Sequence, residues 1–360
     1  MLKRFIGAFG LWLGVFEGLA AGTGHRGLSW GGAPGAAAGL AVAAAARPGP
    51  VALLAALPPA AVAQVALAVL RRRGLNPKIT LRPAAYADRT VERIDVPAAH
   101  GPVPALHIVP AGGAAAAVCV AHGSGCDKTF YIWRTVEALT ARGMAVLLVD
   151  LDGHGESPRA QAFPEIVESV AGPARWLRER YRHVALLGMS LGGAVTARAV
   201  AEGAPCDALA LWAVPPRLRL DARAYRRVQI AEGLRIARPT LLHLFRDGSP
   251  YHVVRAWQTS GIRARIGTWD LFDALDLLGS LARVGRRPDR PPLLLVYAGR
   301  DAVLHPGSDR EVEAATAGWG RFHRVRGASH VSLPIEPETI ELTAAWLARE
   351  LAASAGPRPG

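Results

Sequence analysis

Ser190 stands in Gly188-Met189-Ser190-Leu191-Gly192, a serine with a glycine two residues away on either side. A hydroxyl is a weak nucleophile until a base takes its proton, so the run matters only where a base and a site for an oxyanion accompany it. His330, in Gly327-Ala328-Ser329-His330, can supply the base, and Asp301, in Gly299-Arg300-Asp301, can orient it. His122-Gly123-Ser124-Gly125 is a glycine-rich turn able to present a backbone N–H, and the N–H groups of Ser124 and Leu191 are the expected oxyanion donors. Serine, then aspartate, then histidine along the chain is one of the orders in which such a triad is built. The chemistry would be acyl transfer through a covalent intermediate.

Residues so far apart in sequence meet only where elements end side by side. Short apolar runs alternate with helix-length segments from about Val91 onward: Ala115 to Ala121, Met144 to Val149, Val184 to Leu187, Ala208 to Val214, Leu293 to Ala298, and Phe322 to Val325. Runs apolar on both faces predict parallel strands covered by helices on each side. Val91 to Val96 and Pro104 to Val109, joined through a Gly-Pro turn, predict an antiparallel lead-in, and helices are expected over 129–142, 164–181, 192–202, 308–317 and 336–351. Ser190 would then sit at a tight strand-to-helix turn. Gly188 and Gly192 allow strand and helix to approach there without side-chain collision. The fold class is α/β, with its chemistry at the carboxyl ends of the strands.

The chain over residues 91–353 resembles the α/β-hydrolase superfamily, and looks most like the branch of monoacylglycerol lipase and the serine aminopeptidase-like esterases. The residues that carry the resemblance are HGSG at 122–125, Asp150 with DGHGES at 152–157, GMSLGG at 188–193, GRDAVLHP at 299–306 and GASH at 327–330. Met189 departs from the histidine that many relatives carry. The resemblance implies a serine hydrolase of carboxylic esters with Ser190, Asp301 and His330 as its catalytic residues and His122, Gly123, Gly125, Gly188 and Gly192 supporting the motifs. It implies no metal and no cofactor. A thioesterase, an acyltransferase or a non-catalytic binding protein on the same fold are the alternatives. Asp309 and, because some relatives place the acid one strand earlier, Asp221 are rivals for the acid; His305 and His323 are rivals for the base. Residues 217–290 interrupt the alternation as a candidate lid, with helices expected over 222–236 and 269–284.

Charge divides the 360 residues further. The net charge is +13, of which residues 1–75 hold +6 and residues 217–290 hold +8, leaving the rest at −1. No nucleic-acid motif accompanies either basic region. Three cysteines, Cys119, Cys126 and Cys206, are too few and too irregularly spaced for a disulfide framework. The G-x-G-x-x-G match at 22–27 has no acid about 20 residues on, so it predicts no dinucleotide site.

Residues 5–22 and 51–70 are long apolar stretches, flanked by Lys3 and Arg4 in front and by Arg71 to Arg73 behind. Each approaches the length of a bilayer span, and basic residues at both outer ends predict a two-helix membrane hairpin with a cytoplasmic body. A removed signal peptide over 1–21 is the rival, with Glu17 inside the apolar run against it. Leu28 to Ala46 is a weaker third candidate. The expected domains are 1–75 as an anchor, 76–90 as a linker, 91–353 as the hydrolase and 354–360 as a flexible tail. A basic lid beside anionic headgroups would favour amphiphilic or lipid-like esters as substrates.

Overall fold

A computed structural model describes residues 2–22, 32–73, 81, 83–129, 132–218 and 262–353. The expected helix over 222–236, Asp221, most of the candidate lid and the 354–360 tail lie outside the described residues. The chain forms two compact units, an N-terminal one and a larger body beginning at Ile79.

The body is built on nine strands: β1 (Ala84–Ala85), β2 (Arg89–Val96), β3 (Val103–Pro110), β4 (Ala116–Ala121), β5 (Met144–Val149), β6 (His183–Met189), β7 (Ala208–Trp212), β8 (Leu293–Ala298) and β9 (Gly320–Val325). Their order is β1-β2-β3-β5-β4-β6-β7-β8-β9. The first three pairings are antiparallel and the rest parallel. Every residue of β5, β6, β7 and β8 is buried, as continuous apolar runs covered on two sides require. Each expected strand is present, and β1 is additional. Two alanines carry no alternation, so nothing in the sequence marked them. Residues 84–85 and 89–90, within the expected linker, therefore belong to the sheet.

One face of the sheet carries α4 (Trp133–Thr140) and α10 (Pro337–Ala353); the other carries α5 (Glu168–Arg178), α6 (Leu191–Ala201), α7 (Thr268–Leu275), α8 (Leu277–Gly285) and, against α8, α9 (Ser308–Ala315). The expected helix over 269–284 is two helices, broken at Asp276, which adopts left-handed backbone (φ 43°) and caps α8 by accepting from the Gly279 N–H. Leu271, Phe272, Leu275, Leu281 and Val284 are buried with Leu186, Val195 and Leu209 in the main core. The lid expected over 217–290 is thus too wide: 268–285 is the helical layer between β7 and β8, buried by the same apolar face that made it look helical.

The N-terminal unit contains three helices, α1 (Leu2–Gly22), α2 (Gly32–Ala46) and α3 (Pro50–Arg73). α2 runs antiparallel to α1: Gly7 lies against Ala46, Gly10 against Val42 and Gly14 against Ala36 and Gly39. The Trp12 indole N–H donates to the Leu53 carbonyl and the Gln64 amide to Glu17, so α3 runs in the same direction as α1. A two-helix hairpin does not form. Lys3 and Arg4 lie at the opposite end of the unit from Arg71 to Arg73, which removes the sequence argument for a cytoplasmic body.

Candidate active site

Ser190 occupies the single residue between β6 and α6. Its backbone lies at φ 49°, ψ −115°, a region costly for a residue with a Cβ and held here by its surroundings. The Ser190 N–H donates to the Trp212 carbonyl at 2.9 Å, and Trp212 is fixed in turn by its indole N–H bond to Thr343 on α10. The flanking glycines are dictated by contact. A Cβ on Gly192 would stand 2.4 Å from the His122 carbonyl oxygen, and one on Gly188 would stand 2.5 Å from the Gly193 Cα. Neither position has room for alanine.

The three sequence-predicted chemical groups meet at this turn. His330 Nε2 lies 3.0 Å from Ser190 Oγ, and His330 Nδ1 lies 2.8 Å from Asp301 Oδ2. A carboxylate only accepts, so the Nδ1 proton donates to Asp301 and Nε2 is left as the acceptor for the Ser190 hydroxyl. Asp301 Oδ1 accepts from the N–H groups of Val303 and Leu304 at 2.9 and 3.1 Å, which aims its other oxygen at the imidazole. The rivals are elsewhere: Asp309 pairs with Arg324, His323 pairs with Glu338 on the surface, and His305 is exposed.

Beside the serine runs the turn after β4. A Cβ on Gly123 would touch the Ser190 Cβ at 3.5 Å, and the Gly192 N–H donates to the His122 carbonyl at 3.1 Å, so the 122–125 turn lies against the serine and the start of α6. Among the described residues, the N–H groups of Ser124 and Leu191 have no protein acceptor. Leu191 begins α6, whose amino end favours negative charge. The His122 ring donates from Nδ1 to the Gly123 carbonyl and accepts the Leu151 N–H at Nε2. Burial lowers the pKa of His122, and burial followed by the neighbouring His122 takes His154 down to about 4. Both rings are neutral, and both hold turns.

Sequence reasoning passed over Lys128. Its ammonium is completely buried against Asp150 and 2.8 Å from Glu156, while its N–H donates to Asp150 at 2.8 Å. Asp127 accepts from both the Thr129 N–H and hydroxyl at 2.7 Å, closing the same turn. The far end of the 122–128 segment is therefore pinned to the end of β5. A signal was present: Lys128 is one of three lysines among 42 basic residues. Asp152 accepts from the side chains of Ser157 and Arg159, closing the turn that follows. A cavity of about 560 Å³ opens beside Asp301, lined by Tyr297, Leu304, His305, Arg310 and Arg324 but by neither Ser190 nor His330.

Residues 112–338 match the family described as Serine aminopeptidase, S33. Among solved structures, GrgF, an α/β hydrolase from Penicillium sp. sh18, shares 16% identity at a TM-score of 0.54, over 73% of this chain and 99% of its own. DcsB, solved with its substrate analogue, shares 16% at 0.53, over 73% of this chain and 100% of its own. The Pyrococcus furiosus esterase Pf2001 shares 16% at 0.51, over 78% and 100% respectively. No curated protein sequence matches. At such identity these structures speak for the fold. The family match spans more than half of the chain and runs from before the HGSG turn to beyond His330, and by it the protein belongs to the serine aminopeptidase S33 family of α/β hydrolases.

Proposed function

We propose that this hydrolase cleaves carboxylic esters, with Ser190 as nucleophile, His330 as general base and acid, and Asp301 as the group that orients His330. The observation that carries the reading is the double engagement of His330, at 3.0 Å from Ser190 Oγ and 2.8 Å from Asp301. His330 Nε2 takes the hydroxyl proton as Oγ attacks the ester carbonyl, and Asp301 stabilises the imidazolium that forms. The carbonyl oxygen, now negative, is received by the N–H groups of Ser124 and Leu191. Collapse of this intermediate breaks the bond to the alcohol, which leaves with the proton from His330; water then repeats the sequence on the acyl-enzyme.

Esters come before amides because the Pyrococcus protein that shares the fold is called an esterase. The test is a series of p-nitrophenyl esters of increasing acyl length, run beside an aminoacyl p-nitroanilide, on the native protein and on Ser190→Ala. Ester turnover with a burst of p-nitrophenol, reduced by at least ~10³-fold in Ser190→Ala, is expected. A rise in rate with acyl length would place the substrates among amphiphilic esters. Turnover of the anilide alone, or ester turnover that survives in Ser190→Ala, would overturn the reading. Addition of an alcohol acceptor distinguishes hydrolysis from transfer by the product formed.

A further inference from the structure

The N-terminal unit is built inside out for water. Its buried apolar residues are small, Ala8, Ala20, Ala43, Ala56 and Ala60, whereas none of its described large ones is buried: those of α1 such as Phe9 and Leu13 are half-buried, and Leu2, Val51, Leu54 and Val62 are each at least 70% exposed. Nine of the eleven large hydrophobic residues exposed among the described residues belong to this unit. The polar groups show the reverse preference. Glu17, the one charge between Phe5 and Gly22, is fully buried and accepts from the amide of Gln64, itself buried. Between Pro50 and Leu70 no charged residue occurs.

An aqueous three-helix unit would bury Leu and Val and leave alanine and the carboxylate outside. Helices surrounded by lipid gain nothing from hiding large apolar side chains, and pack instead through small residues and interhelical hydrogen bonds. Both devices are present. Gly10, Gly14 and Gly39 bring α1 and α2 into backbone contact, so that a Cβ on Gly39 would stand 2.6 Å from the Gly10 oxygen and the Gly14 nitrogen. Glu17 and Gln64 join α1 to α3. Dimensions agree: Pro50–Leu67 is long and apolar enough to cross a bilayer, and the 21 residues of α1 reach roughly 31 Å. The 15 residues of α2 reach only roughly 22 Å, and the glycine face of α1 covers one of its sides.

We infer that α1, α2 and α3 are embedded together in a lipid bilayer, with the Val51, Leu54 and Val62 face of α3 against acyl chains and the Glu17–Gln64 pair turned inward between helices. The occupant of the apolar surface is lipid. Basic residues then mark both ends of the unit, Lys3 and Arg4 with Arg47 at one and Arg71 to Arg73 at the other.

Full-length protein carrying different tags at its two ends tests this without reference to enzyme activity. Membranes are washed with alkaline carbonate and the residue extracted with dodecyl maltoside. Both tags are expected in the carbonate pellet and again in the detergent extract. The triple variant Val51→Lys, Leu54→Lys, Val62→Lys should move from pellet to supernatant, a change of at least about tenfold in their ratio, because three ammonium groups on a lipid face oppose insertion. Gln64→Glu, which adds a second carboxylate beside Glu17, should reduce detergent-extracted yield while leaving the lipid face unaltered. Native protein in the carbonate supernatant, including a water-soluble dimer, would overturn the inference. So would loss of the N-terminal tag from the membrane-bound body, a pellet that detergent fails to dissolve, or a triple variant that remains membrane-bound like the native chain.

Discussion

Asp301 and Asp150 are both carboxylates that hold a nitrogen donor, the first the His330 ring and the second the Lys128 ammonium, with different consequences when the contact is broken. Asp301 holds the imidazole tautomer that leaves Nε2 free to accept from Ser190. Asp301→Asn keeps the side-chain shape but can no longer demand a proton on Nδ1, and a fall in kcat of order 10⁴-fold is expected with KM little changed. Retention of near-native kcat would remove Asp301 from the triad. Lys128 acts on stability. Replacing it by Met leaves Asp150 buried without its ammonium partner, which costs about 3–5 kcal/mol. Urea midpoints of fluorophosphonate labelling should record that loss, and Asp150→Asn added to Lys128→Met should return part of it. The proposed triad was legible residue by residue because Ser190, Asp301 and His330 each stand two or three residues from a glycine, in a short segment that follows an apolar run. Lys128 stood out only as one of three lysines, and nothing in Cys126-Asp127-Lys128 says that Asp150, 22 positions on, will meet it.

At the scale of elements, the strand-to-helix turn at Ser190 is set by three close approaches, not one. Gly188 admits the start of α6, Gly192 admits the end of β4, and Gly193 admits Val214, whose Cγ2 would lie 2.1 Å from an added Cβ. Gly192→Ala pushes α6 off the His122 carbonyl, and a loss of about 1–3 kcal/mol in stability is expected. Labelling of Ser190 should slow as well, since the 122–125 turn and the amino end of α6 separate. An alanine variant that labels at the native rate would show that the turn yields elsewhere. The strands were readable because burial on two faces writes an unbroken apolar run. The break at Asp276 was not, because an apolar periodicity continues straight across it from Leu271 to Val284. That α7 and α8 belong to the body can be tested by Leu281→Ala: a cost of roughly 2–5 kcal/mol is expected for a residue buried against α6. A cost near zero, with only substrate preference altered, would return these helices to a lid.

For the whole molecule, the direction of α3 changed the meaning of the charge. Lys3, Arg4 and Arg71 to Arg73 look equivalent in sequence, and only the intervening α2 places them at opposite ends. Periodicity reports how apolar a helix is and says nothing of which neighbour it runs beside. The pH response is also a property of the whole chain. Burial lowers His107, His122 and His154, the last to about 4, while in the unfolded chain each titrates near ~6.5. Above pH ~7 neither state binds these protons, so the histidines confer no pH dependence there. As pH falls below ~6.5 the unfolded chain takes up protons that the folded body refuses, and stability declines until the folded values are reached. His154 alone accounts for roughly 3 kcal/mol of that decline by the time pH reaches about 4. The net charge, +13 at neutral pH, grows more positive over the same interval and adds self-repulsion in the same direction. Urea midpoints of Ser190 labelling, with urea exposure at each pH and labelling after return to neutral pH, should therefore be level from pH 8 to 7 and fall between 6.5 and 4. In His154→Asn the fall should be shallower, because no imidazole is left at 154 for the unfolded chain to protonate and the folded body to refuse. A slope equal to the native one would mean that His154 takes up its proton in the folded body over the same pH range as in the unfolded chain, contrary to a ring whose Nδ1 proton is committed to the Asp152 carbonyl and whose Nε2 is buried.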